Sequence, residues 1–345
     1  MTSRQLFKDT CSGKKTERPP FWLMRQAGRF LPEYRALKQK YSFVEITQTP
    51  ELAVEATLQP IRRFDFDCAI VFSDILVIAE ALGMPYSFKE QGGIRLKKTV
   101  KTLHDIEEIE TRISDVSQHL KYVAQAVKML RAELPEKAIY GFCGSPWTVA
   151  CYMLQGESVN GFPKIFEFKK SNPKLFERLM KALAEASKEY AKMQIAEGID
   201  AFQIFDSHAG LIEQNNYFET SGKWIKQIAT EIKNKATSVV FANGMSSRLH
   251  EVVKIDADFY SLDSSKKLSE VRKSFDVGLQ GNLPPEILSD ATPEIVAQKT
   301  LDVATDMLAL GKHIFNLAHG IRPDAKLENV EAMCQTLKSI KYEHA

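Results

Sequence analysis

Cysteine is scarce in this 345-residue chain, with five scattered at Cys11, Cys68, Cys143, Cys151 and Cys334. None forms a C-x-x-C pair or a His-x-Cys, so neither a disulfide framework nor a zinc cluster is indicated, and a reducing cytoplasm fits. Also missing is any apolar run near the roughly 20 residues that a membrane span needs. The N-terminus, Met1-Thr2-Ser3-Arg4-Gln5-Leu6-Phe7-Lys8, has no apolar stretch or small-residue cleavage site of a secretory signal. A soluble, unexported protein with no membrane partner is expected. Charge of one sign is not in excess either: 46 basic against 44 acidic residues leave +2, which argues against a nucleic-acid partner. Any anion binding must therefore be local. No G-x-G-x-x-G follows the first apolar segment and no G-x-S-x-G occurs, which counts against a dinucleotide-binding open sheet and against a hydrolase. No repeat, low-complexity tract or Pro/Gly/Ser linker marks a domain boundary.

Against these absences stands a rhythm. Short apolar or β-branched segments recur at 21–24, 66–72, 138–142, 201–205, 238–242, 259–262, 277–279 and 313–317, each long enough for a buried strand. Between them lies helical punctuation: Thr49-Pro50 and Asn172-Pro173 open helices. The second of these carries Leu175, Phe176, Leu179, Met180 and Leu183 on one face until Gly198. Asp324 is a candidate cap for a last helix with Leu327, Val330, Met333, Leu337 and Ile340 on one face. Strand then helix, eight times, predicts an α/β chain folded as a (β/α)8 TIM barrel, with a doubly wound sheet as the competing architecture. The expected organisation is a single domain over 1–345, with a short N-terminal tail over about 1–15. Residues 84–97 read as a hairpin around Gly92-Gly93, an insertion after the second strand.

A barrel places its chemistry just past the C-terminal ends of its strands. Those junctions read Arg25-Gln26-Ala27-Gly28-Arg29, Ser73-Asp74, Gly144-Ser145-Pro146-Trp147, Asp206-Ser207-His208, Asn243-Gly244, Asp263, Gln280-Gly281-Asn282 and His319-Gly320. Arg25 and Arg29 are four apart, so a helical turn would set both guanidiniums on one face, where they match carboxylate or phosphate, and Gly28 would let a ligand approach the backbone. Asp74 follows an apolar strand and needs a partner, either a structural arginine or N–H donors on a ligand. Tyr152 by itself reads as a core tyrosine and His319 as a structural histidine. Adjacent Ser207 and His208 do not make a nucleophile–base pair.

Together these blocks resemble the uroporphyrinogen decarboxylase family. The resemblance rests on Met24-Arg25-Gln26-Ala27-Gly28-Arg29 with Leu31-Pro32-Glu33-Tyr34-Arg35, on Ala69-Ile70-Val71-Phe72-Ser73-Asp74-Ile75-Leu76, and on Gly144-Ser145-Pro146-Trp147-Thr148 with Tyr152-Met153. It continues through Phe205-Asp206-Ser207-His208-Ala209-Gly210, Leu279-Gln280-Gly281-Asn282-Leu283 and Asn316-Leu317-Ala318-His319-Gly320-Ile321. It implies a homodimeric barrel that decarboxylates the four acetates of uroporphyrinogen without cofactor or metal. Arg25 and Arg29 would bind carboxylates, with Gln26, Ala27 and Gly28 contributing in the same turn. Asp74 would sit at the centre of the macrocycle, and Tyr152, Ser207 and His319 would meet carboxylates or the reacting pyrrole. Asp74, Tyr152 and Arg25 are the catalytic candidates, and the proton donor stays open between Arg25, Tyr152 and a bound water. The chain departs from the family pattern at Pro284, at Ser261-Leu262-Asp263-Ser264 and at Ala318. Two other readings compete: a corrinoid-dependent methyltransferase, whose zinc-binding His-x-Cys is missing, and a tetrapyrrole carrier without turnover.

Overall fold

The computed structural model describes residues 1–89 and 93–341, which fall into two compact units. The first is assembled from Met1–Phe72, Ala126–Tyr140 and Asp258–Ala345, the second from Ser73–Gln125 and Gly141–Ala257. The strands, in chain order, are β1 (Cys68–Ile70), β2 (Tyr86–Phe88), β3 (Ile94–Leu96), β4 (Ala138–Gly144), β5 (Ala201–Asp206), β6 (Thr237–Ala242), β7 (Phe259–Ser261), β8 (Gly278–Leu283) and β9 (His313–Leu317).

In the first unit β1 pairs in parallel with the start of β4, from Cys68 opposite Ala138, and β7, β8 and β9 pair in parallel in that order. The segment around Phe21 lies between these groups. Phe21 bridges Phe315 of β9, and the Asp67 N–H just ahead of β1 donates to Phe21 O at 3.1 Å. The strand expected over 21–24 is thus a single bridge. Its later N–H groups leave the ladder for side chains: Leu23 donates to Gln26 Oε1 at 3.1 Å and Met24 to Asn316 Oδ1 at 2.9 Å. The first fifteen residues, expected as a tail, carry the helix Ser3–Cys11, which buries Leu6 and Phe7 and sets the Phe7 ring edge-on to Tyr140.

In the second unit β5 and β6 pair in parallel from Ala201 opposite Thr237 to Asp206 opposite Ala242. β4 and β5 are buried at every position, the pattern of strands covered by helices on their outer face. The helix Pro173–Ala196 opens at Asn172-Pro173 as the sequence predicts, and Gly198 past its end takes φ +97. An antiparallel ladder joins β2 and β3, from Tyr86 opposite Leu96 to Phe88 opposite Ile94. It matches the hairpin expected over 84–97, whose tip at 90–92 lies outside the described residues.

Three further expectations are corrected. Arg25 takes φ 66, and no helix runs through 25–29. A left-handed residue cannot continue a right-handed helix, so Arg25 and Arg29 do not share a helical face. Asp324 does not cap the last helix, Leu327–Ser339, whose N-cap is Lys326; its carboxylate is bound by Arg322 and Ser289. β8 runs on to Leu283, so Gln280, Gly281 and Asn282 lie within a strand rather than beyond its end.

Candidate active site

Arg25 and Arg29 bracket an irregular turn fixed from beneath. Asn316, buried near the end of β9, accepts the N–H groups of Met24 and Leu317 on one side-chain oxygen, at 2.9 and 2.8 Å. Gln26 is 1% exposed, and its amide is spent inside the protein, on Leu23 N–H and on Cys68 O at 3.2 Å. It is a brace for the turn, and its backbone N–H is spent there as well, on Leu23 O at 2.9 Å. Gly28 serves the turn as well, since a Cβ there would lie 2.7 Å from the Arg25 carbonyl oxygen. Both arginines are exposed, and among the described residues neither joins an ion pair. Two unneutralised guanidiniums beside one turn suit an anion with several carboxylates.

His319 joins the same cluster. Burial holds its protonation below the usual imidazole range, and the Arg25 charge pushes the same way. Arg25 lies across Gly320, where an added Cβ would come 2.6 Å from Arg25 Cδ. Ala318 is buried, so its methyl faces protein rather than the surface.

In the second unit Asp74 follows β1 at the head of the helix Val77–Ala81. Its Oδ1 accepts the Leu76 N–H at 2.8 Å. Burial pushes Asp74 up to about 6, against the pull of the Leu76 N–H and of Tyr86 on β2, and Glu80 adds to the rise. A structural arginine is not among the groups acting on it. The group is half ionised near pH 6 and largely ionised above.

Tyr152 projects from the helix Pro146–Gln155, whose N-cap Ser145 accepts the Thr148 N–H at 3.0 Å. Its half-exposed ring makes an aromatic group with Phe162, 5.0 Å away, and His208, 5.4 Å away, and His208 lies 4.4 Å from Phe162. Burial holds His208 down at about 4, so it is neutral at physiological pH. Ser207 is half-buried, and its carbonyl accepts Asn243 Nδ2 at 3.2 Å. Asp206 just before it is fully buried and takes four hydroxyls: Ser145 at 2.7 Å and Thr148 at 3.0 Å on Oδ1, Ser221 at 2.8 Å and Tyr217 at 3.0 Å on Oδ2. This lattice fixes the segment bearing Ser207 and His208 to the helix bearing Tyr152.

Gln280 and Asn282, expected at the surface of the site, are internal. Gln280 binds Trp22 Nε1 at 3.1 Å and Ser261, while Asn282 Nδ2 donates to the carbonyls of Asp263 and Lys266, both at 2.8 Å. Tyr86 and Phe162 were not singled out by the sequence, and His208 only as the neighbour of Ser207. Tyr86 lies in the expected insertion and Phe162 in a connecting loop, with no spacing relative to Asp74 or Tyr152 that local patterning could read. Among the described residues no three His, Cys, Asp or Glu are grouped to hold a metal ion, and no helix is long and apolar enough to cross a membrane.

Residues 2–340 match the family model described as uroporphyrinogen decarboxylase (URO-D). The chain belongs to the uroporphyrinogen decarboxylase family. Among curated relatives, the uroporphyrinogen decarboxylase of Nautilia profundicola is 36% identical, with 97% of this chain and 98% of that protein covered. That of Agrobacterium fabrum is 40% identical, covering 95% and 96%. A methyltransferase from Methanosarcina mazei shares the fold, with a TM-score of 0.79 at 18% identity over 98% of both chains. Its low identity makes it a likeness of architecture alone.

Proposed function

We propose that the protein removes the four acetate carboxyl groups of uroporphyrinogen III as CO2, giving coproporphyrinogen III in porphyrin and haem biosynthesis. It is a carboxy-lyase, and membership of the family across 2–340 carries this reading. The geometry supports it: two arginines in no ion pair among the described residues suit an octacarboxylate, and an Asp74 with no cationic partner among them suits pyrrole N–H donors.

Each turnover converts –CH2–COO⁻ and a proton to –CH3 and CO2. Protonation of a pyrrole carbon makes the ring cationic. The C–C bond to the leaving carboxylate then breaks, and its electron pair flows into that ring, so the substrate is its own electron sink and no cofactor is required. The exocyclic carbon takes a proton as the ring gives one up. Arg25 and Arg29 grip peripheral carboxylates, assisted by the backbone of Ala27 and Gly28, while Gln26 holds the turn from within. Asp74, ionised above about pH 6, accepts pyrrole N–H groups and stabilises the ring cation, an effect commonly worth about 3–4 kcal/mol at a preorganised site. Tyr152, Ser207 and His319 orient the acetates. The proton donor is Tyr152 or a water it holds, since guanidinium gives up a proton too reluctantly for Arg25 to serve. We further propose one barrel domain, a homodimer, and a cytoplasmic location.

Anaerobic incubation with uroporphyrinogen, followed by chromatography of the hepta- to tetracarboxylate products, tests the reaction. Asp74→Asn is expected to lower kcat by about a hundredfold or more, and wild-type kcat/KM is expected to fall as pH drops through about 6. A folded Asp74→Asn with near wild-type turnover defeats the role given to Asp74.

A further inference from the structure

His208 is held at both of its peptide groups. Its N–H donates to Thr148 Oγ1 at 3.3 Å, and its carbonyl accepts the Trp147 indole N–H at 3.0 Å and the Leu211 N–H at 3.2 Å. Thr148 in turn donates to the buried Asp206 at 3.0 Å. The imidazole is therefore aimed by fixed elements, as a preorganised site requires. Its ring centroid lies 4.4 Å from that of Phe162 and 5.4 Å from that of Tyr152.

The two nitrogens of this ring differ. Nε2 is enclosed and meets no hydrogen-bond partner among the described residues. The residue as a whole is only half-buried, and Nδ1 is not among the enclosed atoms. A neutral imidazole carries one proton, so one nitrogen is a donor and the other an acceptor. A proton on Nε2 would be a buried N–H with nothing to bind, the rarer and costlier kind of orphan. A proton on Nδ1 can find an acceptor outside the ring's own packing. Burial keeps the imidazole neutral without help from any charged group, so it offers one donor and no charge.

We infer that His208 is a substrate-binding residue whose Nδ1–H, beside Tyr152, donates to a carboxylate of the substrate. This rests on the carboxylate-rich tetrapyrrole proposed above. The chemistry decides which carboxylate it is. Decarboxylation carries charge out of the departing group, so a donor bound there weakens toward the transition state and raises the barrier. A fixed donor therefore belongs on a carboxylate that the reaction leaves in place. There it binds ground state and transition state alike, and its loss raises KM far more than it lowers kcat.

Two substitutions separate this role from ring packing. His208→Phe keeps an aromatic ring against Phe162 and Tyr152 but has no donor. His208→Asn gives up the ring and keeps an N–H at about the place of Nδ1. In steady-state kinetics with uroporphyrinogen under anaerobic conditions, His208→Phe raises KM about tenfold, the size of one hydrogen bond to a charged group, with a much smaller change in kcat. His208→Asn recovers most of that loss. Ring packing predicts the reverse order, with His208→Phe harmless and His208→Asn damaging. That order, equal losses in the two variants, or a fall confined to kcat overturns the inference. Nitrogen-15 NMR of histidine-labelled wild-type protein reads the tautomer without relying on the fold of His208→Phe, and a proton on Nε2 overturns the inference as well. A wild-type protein that releases no CO2 from uroporphyrinogen overturns instead the reaction on which it rests, so the two failures are distinct.

Discussion

Gly320 has no space for a side chain because Arg25 lies across it, and what a Cβ would strike is the flexible end of that arginine. Gly320→Ala therefore costs little stability but swings Arg25 off its present course. Its expected effect is a KM about tenfold higher, the size of one hydrogen bond to a charged group, about 1.5–3 kcal/mol, with a melting temperature within a few degrees of wild type. Steady-state kinetics and calorimetry on one preparation check both halves. At this scale the sequence was partly legible. Asp74 stood out because an apolar strand precedes it, and the Arg25/Arg29 pair because charge follows an apolar run. The conformation of Arg25 could not be read, since its φ of 66 is imposed by side chains as distant as Asn316. Phe162 escaped for the same reason, as the fold, not local spacing, brings its ring within 5.0 Å of Tyr152.

The helix Pro146–Gln155 shows how much one hydroxyl can connect. Ser145 caps it and also donates to Asp206, so Ser145→Ala removes a cap worth about 1 kcal/mol and one of four donors from a buried carboxylate, about 1–3 kcal/mol more. A loss of roughly 2–4 kcal/mol by chemical denaturation is expected. Thr148→Ser, which keeps the hydroxyl on Asp206, should cost much less; equal losses would mean that the hydroxyls do not matter. Strand and helix positions were largely readable because buried parallel strands are continuous apolar runs and Pro marks helix starts, as at Pro50 and Pro173. Boundaries were less so. Gln280 and Asn282 looked like surface groups because a polar side chain in a strand is read as exposed, whereas here Trp22, Ser261 and two backbone carbonyls satisfy them in the interior.

Across the molecule, groups with opposite signs set the response to acid. Burial holds His208 and His313 down at about 4. The unfolded chain thus binds protons that the folded one refuses between about pH 6.5 and 4, and stability is lost as pH falls through that window. Asp74, raised from 3.8 to about 6, works the other way: its contribution is present below 3.8 and lost as pH rises through 6. Two histidines against one aspartate give a net loss on acidification. Asp74→Asn should be the more stable protein at pH 7, by on the order of 2 kcal/mol, with the advantage gone by pH 4. Thermal melts of both proteins across that range decide it, and an advantage that grew toward pH 4 would reverse the sign assigned to Asp74. Seven of the eight apolar segments were legible as strands at this scale because buried strands are written as apolar runs, and the eighth, at 21–24, forms only a bridge. The grouping of segments into units depends on contacts far apart in the chain and was not.

The bridge between Phe21 and β9 sets a timetable for synthesis. Met24 and Asn316, which pin the arginine turn, are 292 residues apart, so at about 5–20 residues per second the turn waits roughly 15–60 s on the ribosome for its partner. β5 and β6 of the second unit meet within a few tens of residues and need no such wait. The nascent chain therefore carries an apolar Phe21-Trp22-Leu23-Met24 segment without its β9 partner until the stretch around Asn316 has been made. Chaperone engagement during translation, mapped by ribosome profiling, should begin soon after the first segment leaves the exit tunnel and end only once the second has emerged.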